Sequence, residues 1–121
     1  MKIIEQIKDL GTLVSNEEEL QNVGFSEGKK VFSIIKDRCP YCHTLMDSWT
    51  ENKIELKNYL SKNGINLLFI ERNQSLDFAL EKGNGSYPLV RAYRTGKQIG
   101  GQFTLLYVNH FIEWLKEIYQ D

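Results

Sequence analysis

The chain has 121 residues, 41% of them apolar, and a formal net charge of −1 from 15 basic and 16 acidic side chains. That length predicts one domain, residues 1–121, around a single core. The near-neutral balance excludes the electrostatic footprint of a nucleic-acid or anionic-membrane binder. No apolar run approaches the length of a membrane span, and the first ten residues mix charged with apolar side chains, unlike a signal-peptide core. The expectation is therefore a cytoplasmic protein, monomeric, with no membrane or nucleic-acid partner.

Ile3, Ile4, Ile7 and Leu10 fall at helical spacing and predict a short opening helix over 2–10. Thr12, Leu13 and Val14 form a short strand candidate. Ser15 is the expected N-cap of a second helix, with Glu18 closing a capping box, and that helix should reach about Val23 before Gly24 and Gly28. The mostly apolar run Lys30–Ile35 suits a central strand buried on both faces. Beyond Cys42, the spacing of Leu45, Trp49, Leu56 and Leu60 predicts one long helix ending at Asn63 and Gly64.

Residues 65–70 read as the next strand, 75–82 as a short helix, and Gly83-Asn84-Gly85 as a turn. Tyr87–Tyr93 and Gln98–Gly100 flank a turn at 94–97 and predict a hairpin. Val108, Phe111, Ile112, Leu115 and Ile118 form the apolar stripe of a closing helix. Residues 1–29 thus carry a helix plus a βα extension, and 30–121 carry the core. Strand–helix alternation that ends in a hairpin predicts an α/β fold of three layers. Its mixed central sheet would have four or five strands, with helices on both faces.

The only two cysteines stand in Cys39-Pro40-Tyr41-Cys42, where a strand runs into a helix. Thiols at this spacing can close a disulfide with little backbone movement. Such a small loop removes little entropy from the unfolded chain, so cross-linking alone does not account for the pair. Pro40 suits the first helical position, where its missing donor costs nothing. Cys39 then sits at the helix start, where free amides and the helix dipole favour a thiolate, and Lys36, Arg38 and His43 can add positive potential. Cys39 is the expected nucleophile, and Cys42, one turn on, the resolving thiol. Two other readings compete. The pair could be half of a zinc site, but only His43 and His110 remain as imidazole ligands and their spacing is wrong for one. It could also be two unrelated core thiols. No metal is expected.

These residues together resemble the thioredoxin superfamily over essentially the whole chain. The Cys39–Cys42 tetrad has the form typical of glutaredoxins. Lys36 matches a glutaredoxin lysine near bound glutathione, Tyr87-Pro88 falls where the family carries a cis-proline facing the sulfurs, and Gly100-Gly101 resembles the glycine pair near glutathione. There are departures. Gln102-Phe103-Thr104 lacks the aspartate that usually follows the glycine pair, Tyr87 replaces a smaller residue before the proline, Arg38 stands at the thioredoxin tryptophan, and Ser33 replaces the buried thioredoxin aspartate. The N-terminal helix followed by a βα unit is also similar to thioredoxin-like accessory proteins encoded with bacteriocins.

The resemblance implies a thioredoxin-like fold and a thiol–disulfide oxidoreductase acting on protein or peptide disulfides. Cys39 and Cys42 would react, assisted by Pro40, Tyr41 and cis-Pro88, and Tyr87, Lys36, Arg38, Gly100 and Gly101 would contact substrate. The chain would carry no cofactor. A separate reductase or oxidant would recycle the pair, with glutathione a candidate reductant. The alternatives are a disulfide-forming factor for an exported peptide such as a bacteriocin, a glutathione-dependent glutaredoxin, a dimer bridging an iron–sulfur cluster, and a redox-gated scaffold.

Overall fold

A computed structural model describes residues 3–36, 38–71 and 87–120. The opening periodicity forms helix α1 (Ile3–Leu10), which buries Ile3, Ile7 and Leu10. Strand β1 (Thr12–Leu13) follows, and Val14 N–H extends its pairing by donating to the Phe69 carbonyl at 2.8 Å. Helix α2 (Glu17–Asn22) is capped one residue later than expected. Asn16, not Ser15, is the N-cap, and its side chain accepts from Glu19 N–H at 2.8 Å. The Glu19 carboxylate reaches back to Ser15 N–H at 3.1 Å, so Glu19 takes the part expected of Glu18.

Strand β2 (Lys29–Ile35) leads into α3 (Pro40–Glu51) and then α4 (Lys53–Lys62). The single long helix expected here is interrupted at Asn52, whose φ of −115° and ψ of 28° leave the helical region. The Asn52 side-chain amide donates to the Ser48 carbonyl at 2.7 Å, alongside its own N–H at 3.2 Å. This local side-chain competition with the main-chain ladder accompanies the break. Helix α4 ends as expected, at Asn63 and a Gly64 in the left-handed region (φ 65°).

Strands β3 (Ile65–Glu71), β4 (Leu89–Arg94) and β5 (Lys97–Phe103) complete the sheet, and α5 (Val108–Ile118) closes the described chain. Strand β5 runs beyond its expected end at Gly100 to Phe103. The helix expected at 75–82 and the turn at 83–85 lie outside the described residues.

The sheet order is β1-β3-β2-β4-β5, with β1, β3 and β2 parallel and β4 and β5 antiparallel. It is the mixed five-strand, three-layer α/β arrangement that the sequence predicts. Strand alternation divides the core between two faces. Val31 and Ile35 of β2 pack with α1, α3, α4 and α5, whereas Phe32 and Ile34 pack with Leu20, Val23 and Phe25 beside α2. Every residue of β2 after Lys29 is buried, as a central strand requires. Among the described residues, no helix is long and apolar enough to cross a membrane.

Candidate active site

The parallel order brings the end of β2 to the start of α3, and the antiparallel return brings the start of β4 beside it. Cys39 is the N-cap of α3 in an extended conformation (φ −134°, ψ 110°), and Pro40 occupies the first turn. The N–H of Cys42 donates to Cys39 Sγ at 3.2 Å, so a free amide of the helix start meets the first sulfur. Cys39 is half-buried, Cys42 is wholly buried, and both are free thiols. One sulfur is reachable and the other is held behind it.

The Tyr87–Pro88 peptide is cis. The Tyr87 carbonyl accepts from the Cys39 thiol at 3.5 Å, and the main-chain N–H of Lys36 donates to Cys42 Sγ at 3.4 Å. The Lys36 ammonium lies 4.7 Å from the centroid of the Tyr87 ring. Tyr41, 65% exposed, projects from the first turn of α3 at the mouth of the site. Beside it runs a groove of about 390 Å3 lined by Tyr41, Tyr87, Pro88 and the segment 102–106. No cysteine lines this groove or the two larger hollows, of about 540 and 600 Å3; the groove is singled out because Tyr87, whose carbonyl meets the Cys39 thiol, forms part of its wall.

Of the residues expected from sequence, Cys39, Pro40, Tyr41, Cys42, Lys36, Tyr87 and Pro88 thus come together around the sulfur pair. Arg38 is exposed just before Cys39. Gly100 and Gly101 sit within β5, ahead of the residues that line the groove. Gly100 has a packing reason to be glycine. Its φ is +62°, and a Cβ there would lie 2.9 Å from Ile118 Cγ2 of α5. Sequence reasoning missed the groove wall at Gln102–Leu106. Leu105 of that wall is 52% exposed, and an apolar side chain left in water there is the signal the structure adds.

Ser33, at the position where the resemblance expects a carboxylate, is wholly buried, and its hydroxyl has no partner among the described residues. By alternation it shares the sheet face of Val31 and Ile35, the face covered by α3. Among the described residues no cluster of three or more His, Cys, Asp or Glu side chains could hold a metal ion.

Burial, and then the hydrogen bond with Cys39, push the Cys42 thiol from its ordinary value near 9 up to about 12, while the Lys36 N–H and charge work the other way. Burial likewise pushes the Tyr119 phenol up to about 12; its hydroxyl lies 2.8 and 3.0 Å from the Tyr93 and Lys30 carbonyls, which accept from it. Both groups keep their protons to higher pH in the folded than in the unfolded chain. The stability they contribute is intact below their ordinary values, near 9 and 10, and is lost as pH climbs toward 12. The urea midpoint of the reduced protein should therefore fall across that range. It should fall less when Cys39 and Cys42 are joined as a disulfide. A flat midpoint in the reduced protein would contradict the assignment.

No protein-family model matches the chain, and no curated protein matches it. Solved structures do. Human ERp44, in its zinc-bound form, superposes with a TM-score of 0.70 at 14% identity, covering 88% of this chain and 31% of that one. The chain thus spans about a third of ERp44. Mitochondrial thioredoxin 3 of Saccharomyces cerevisiae, in its oxidized form, gives 0.67 at 17% identity, covering 89% of this chain and 95% of that one. Plasmodium falciparum thioredoxin gives 0.67 at 14% identity, with 90% and 99% covered. At such identities the likeness is one of fold, and the fold is that of thioredoxin.

Proposed function

We propose that this chain is a thiol–disulfide oxidoreductase acting on protein or peptide disulfides, with Cys39 as nucleophile and Cys42 as resolving thiol. The observation that carries the reading is the asymmetry of the pair. Cys39 is reachable at a helix start and takes an amide hydrogen bond at 3.2 Å, while Cys42 is buried directly behind it. A thioredoxin fold with such a pair supports thiol–disulfide exchange in general terms. The groove supports a peptide substrate, because its apolar wall at Leu105 and Leu106 and the Tyr87 main chain offer a bed for chain flanking a disulfide. Tyr41 and Pro88 line that groove, and Pro40 and the exposed Arg38 flank Cys39 in the chain.

The glutathione-dependent reading has less support. Gly100 packs against Ile118 within β5, and Gln102–Thr104 at the groove brings no carboxylate to hold an ammonium group. Glutathione serves better here as a recycling reductant than as a defining ligand. A disulfide-forming role on an exported peptide such as a bacteriocin uses the same chemistry run in the opposite direction.

Reduction of insulin disulfides with dithiothreitol as donor tests the proposal. Catalytic amounts of the protein should bring on insulin B-chain precipitation well ahead of the donor alone. A rate equal to that of the donor alone would leave the scaffold reading and sink this one.

A further inference from the structure

Lys36 touches both halves of the sulfur site. Its N–H meets Cys42 Sγ at 3.4 Å, and its ammonium seats on the Tyr87 ring, 4.7 Å from the centroid. The Tyr87 carbonyl takes the Cys39 thiol at 3.5 Å, and Cys42 N–H meets Cys39 Sγ at 3.2 Å. The contacts form a closed circuit through Lys36, Cys42, Cys39 and Tyr87. We propose that Lys36 is a positioning residue for the resolving step: its ammonium, held on the Tyr87 ring, keeps the end of β2 and the start of β4 together around the two sulfurs. The proposal rests on the oxidoreductase reading and adds to it a residue that governs the second half of the reaction.

In that half-reaction Cys39 is joined to a substrate sulfur. Cys42 gives its proton to water and attacks Cys39 Sγ as a thiolate. The Cys39–Cys42 bond forms as the bond to the substrate sulfur breaks. The electron pair leaves with that sulfur, which takes a proton from water. The dithiol is oxidised and the substrate sulfur is reduced. The attack needs Cys42 both ionised and aligned, and burial opposes the first requirement.

Among the described residues, the surroundings of Cys42 leave this task to Lys36. Across the same sheet face α1 presents Ile3, Ile7, Leu10 and the uncharged Gln6, and β2 presents the neutral Ser33. Helix α5 presents apolar side chains there, and β4 presents Val90 and Ala92. The charged side chain of β3 is Glu71, buried opposite Ile35 and engaged with groups of its own. Cys39 raises the cost of ionising Cys42. Among the described residues both influences that lower it come from Lys36, the main-chain N–H first and the smaller effect of its side-chain charge second. A cation on an aromatic face is attracted by the ring quadrupole, so the Tyr87 ring holds that charge in place. Because Tyr87 also borders the groove, Lys36 is tied to the wall that meets substrate.

Quenched-flow reaction of the reduced protein with a disulfide-bridged peptide separates formation of the Cys39 mixed disulfide from its decay. In Lys36→Met the mixed disulfide should still form, but its decay should slow about tenfold and the pH profile of decay should move to higher pH. Lys36→Arg should restore most of the rate. Tyr87→Leu should slow decay similarly, and the Lys36→Met/Tyr87→Leu double variant should be no slower than the slower single one, since both remove one contact. Decay in Lys36→Met within about twofold of wild type, an unmoved pH profile, or multiplying losses in the double variant would overturn the proposal. Absence of any mixed disulfide in the wild-type protein is a different result, which would overturn the oxidoreductase reading and this proposal with it.

Discussion

Cys42→Ser should arrest the protein as a mixed disulfide with its substrate, whereas Cys39→Ser should form none and show no turnover. The asymmetry follows from position. Cys39 Sγ is the half-buried sulfur that meets both the helix-start amide and the carbonyl of Tyr87, a residue of the groove wall, so it is the one that can be attacked by, or attack, an incoming disulfide. Cys42 has no exposed surface and lies behind it, with its N–H on Cys39 Sγ. Serine at position 42 leaves the first exchange intact and removes the nucleophile that would release the product. Non-reducing gels and intact-mass measurements after incubation with a disulfide-bridged peptide would read the trapped adduct. Steady-state turnover should drop by at least about a thousandfold in either variant, the scale seen when an essential nucleophile is removed. Turnover surviving in Cys39→Ser, or adducts forming through Cys42 in that variant, would refute the assignment.

Both site and fold were legible where a single local cause acts. Residues 30–35 must be a central strand because no solvent-facing alternation remains in them, and the structure buries every one. Pro40 fixes the helix start, so Cys39 falls at its N-cap from sequence alone. Legibility failed where two local solutions compete or where distant segments meet. Ser15 with Glu18 and Asn16 with Glu19 offer the same capping chemistry one residue apart. The choice goes to Asn16 while Val14 N–H is tied to Phe69 across the sheet, a contact invisible to a local pattern. The break at Asn52 was hidden because Leu45, Trp49, Leu56 and Leu60 keep one helical register across it and all end in one core. The groove wall at 102–106 has no periodicity to detect, and the Lys36–Tyr87 contact joins two strand ends far apart in sequence.

Trp49→Ala should cost the protein about 3–5 kcal/mol, the range for truncating a large buried aromatic side chain. Trp49 is wholly buried on α3 and stacks on Phe111 of α5, with centroids 4.1 Å apart and planes 17° from parallel. Phe69 of β3 closes on it at 6.3 Å, so the ring joins two helices and the sheet and leaves little room for neighbours to collapse inward. Its indole N–H has no partner among the described residues, so Trp49→Phe, which deletes that donor, should lose less than half as much as the alanine variant. A loss of that size is a large share of the roughly 5–15 kcal/mol a domain possesses, and it should lower the melting temperature by about 10–20 °C. Urea titration of the three proteins measures both steps, and a Trp49→Ala cost under about 1 kcal/mol would contradict the packing account. The consequence reaches the site. Phe111 packs at 5.3 Å on Phe103, and Phe103 lines the groove, so the aromatic chain ties the helix carrying both cysteines to the wall beside them. Substrate affinity in the alanine variant should therefore weaken even at temperatures where the variant remains folded, because the groove wall loses the contact that fixes it against α3.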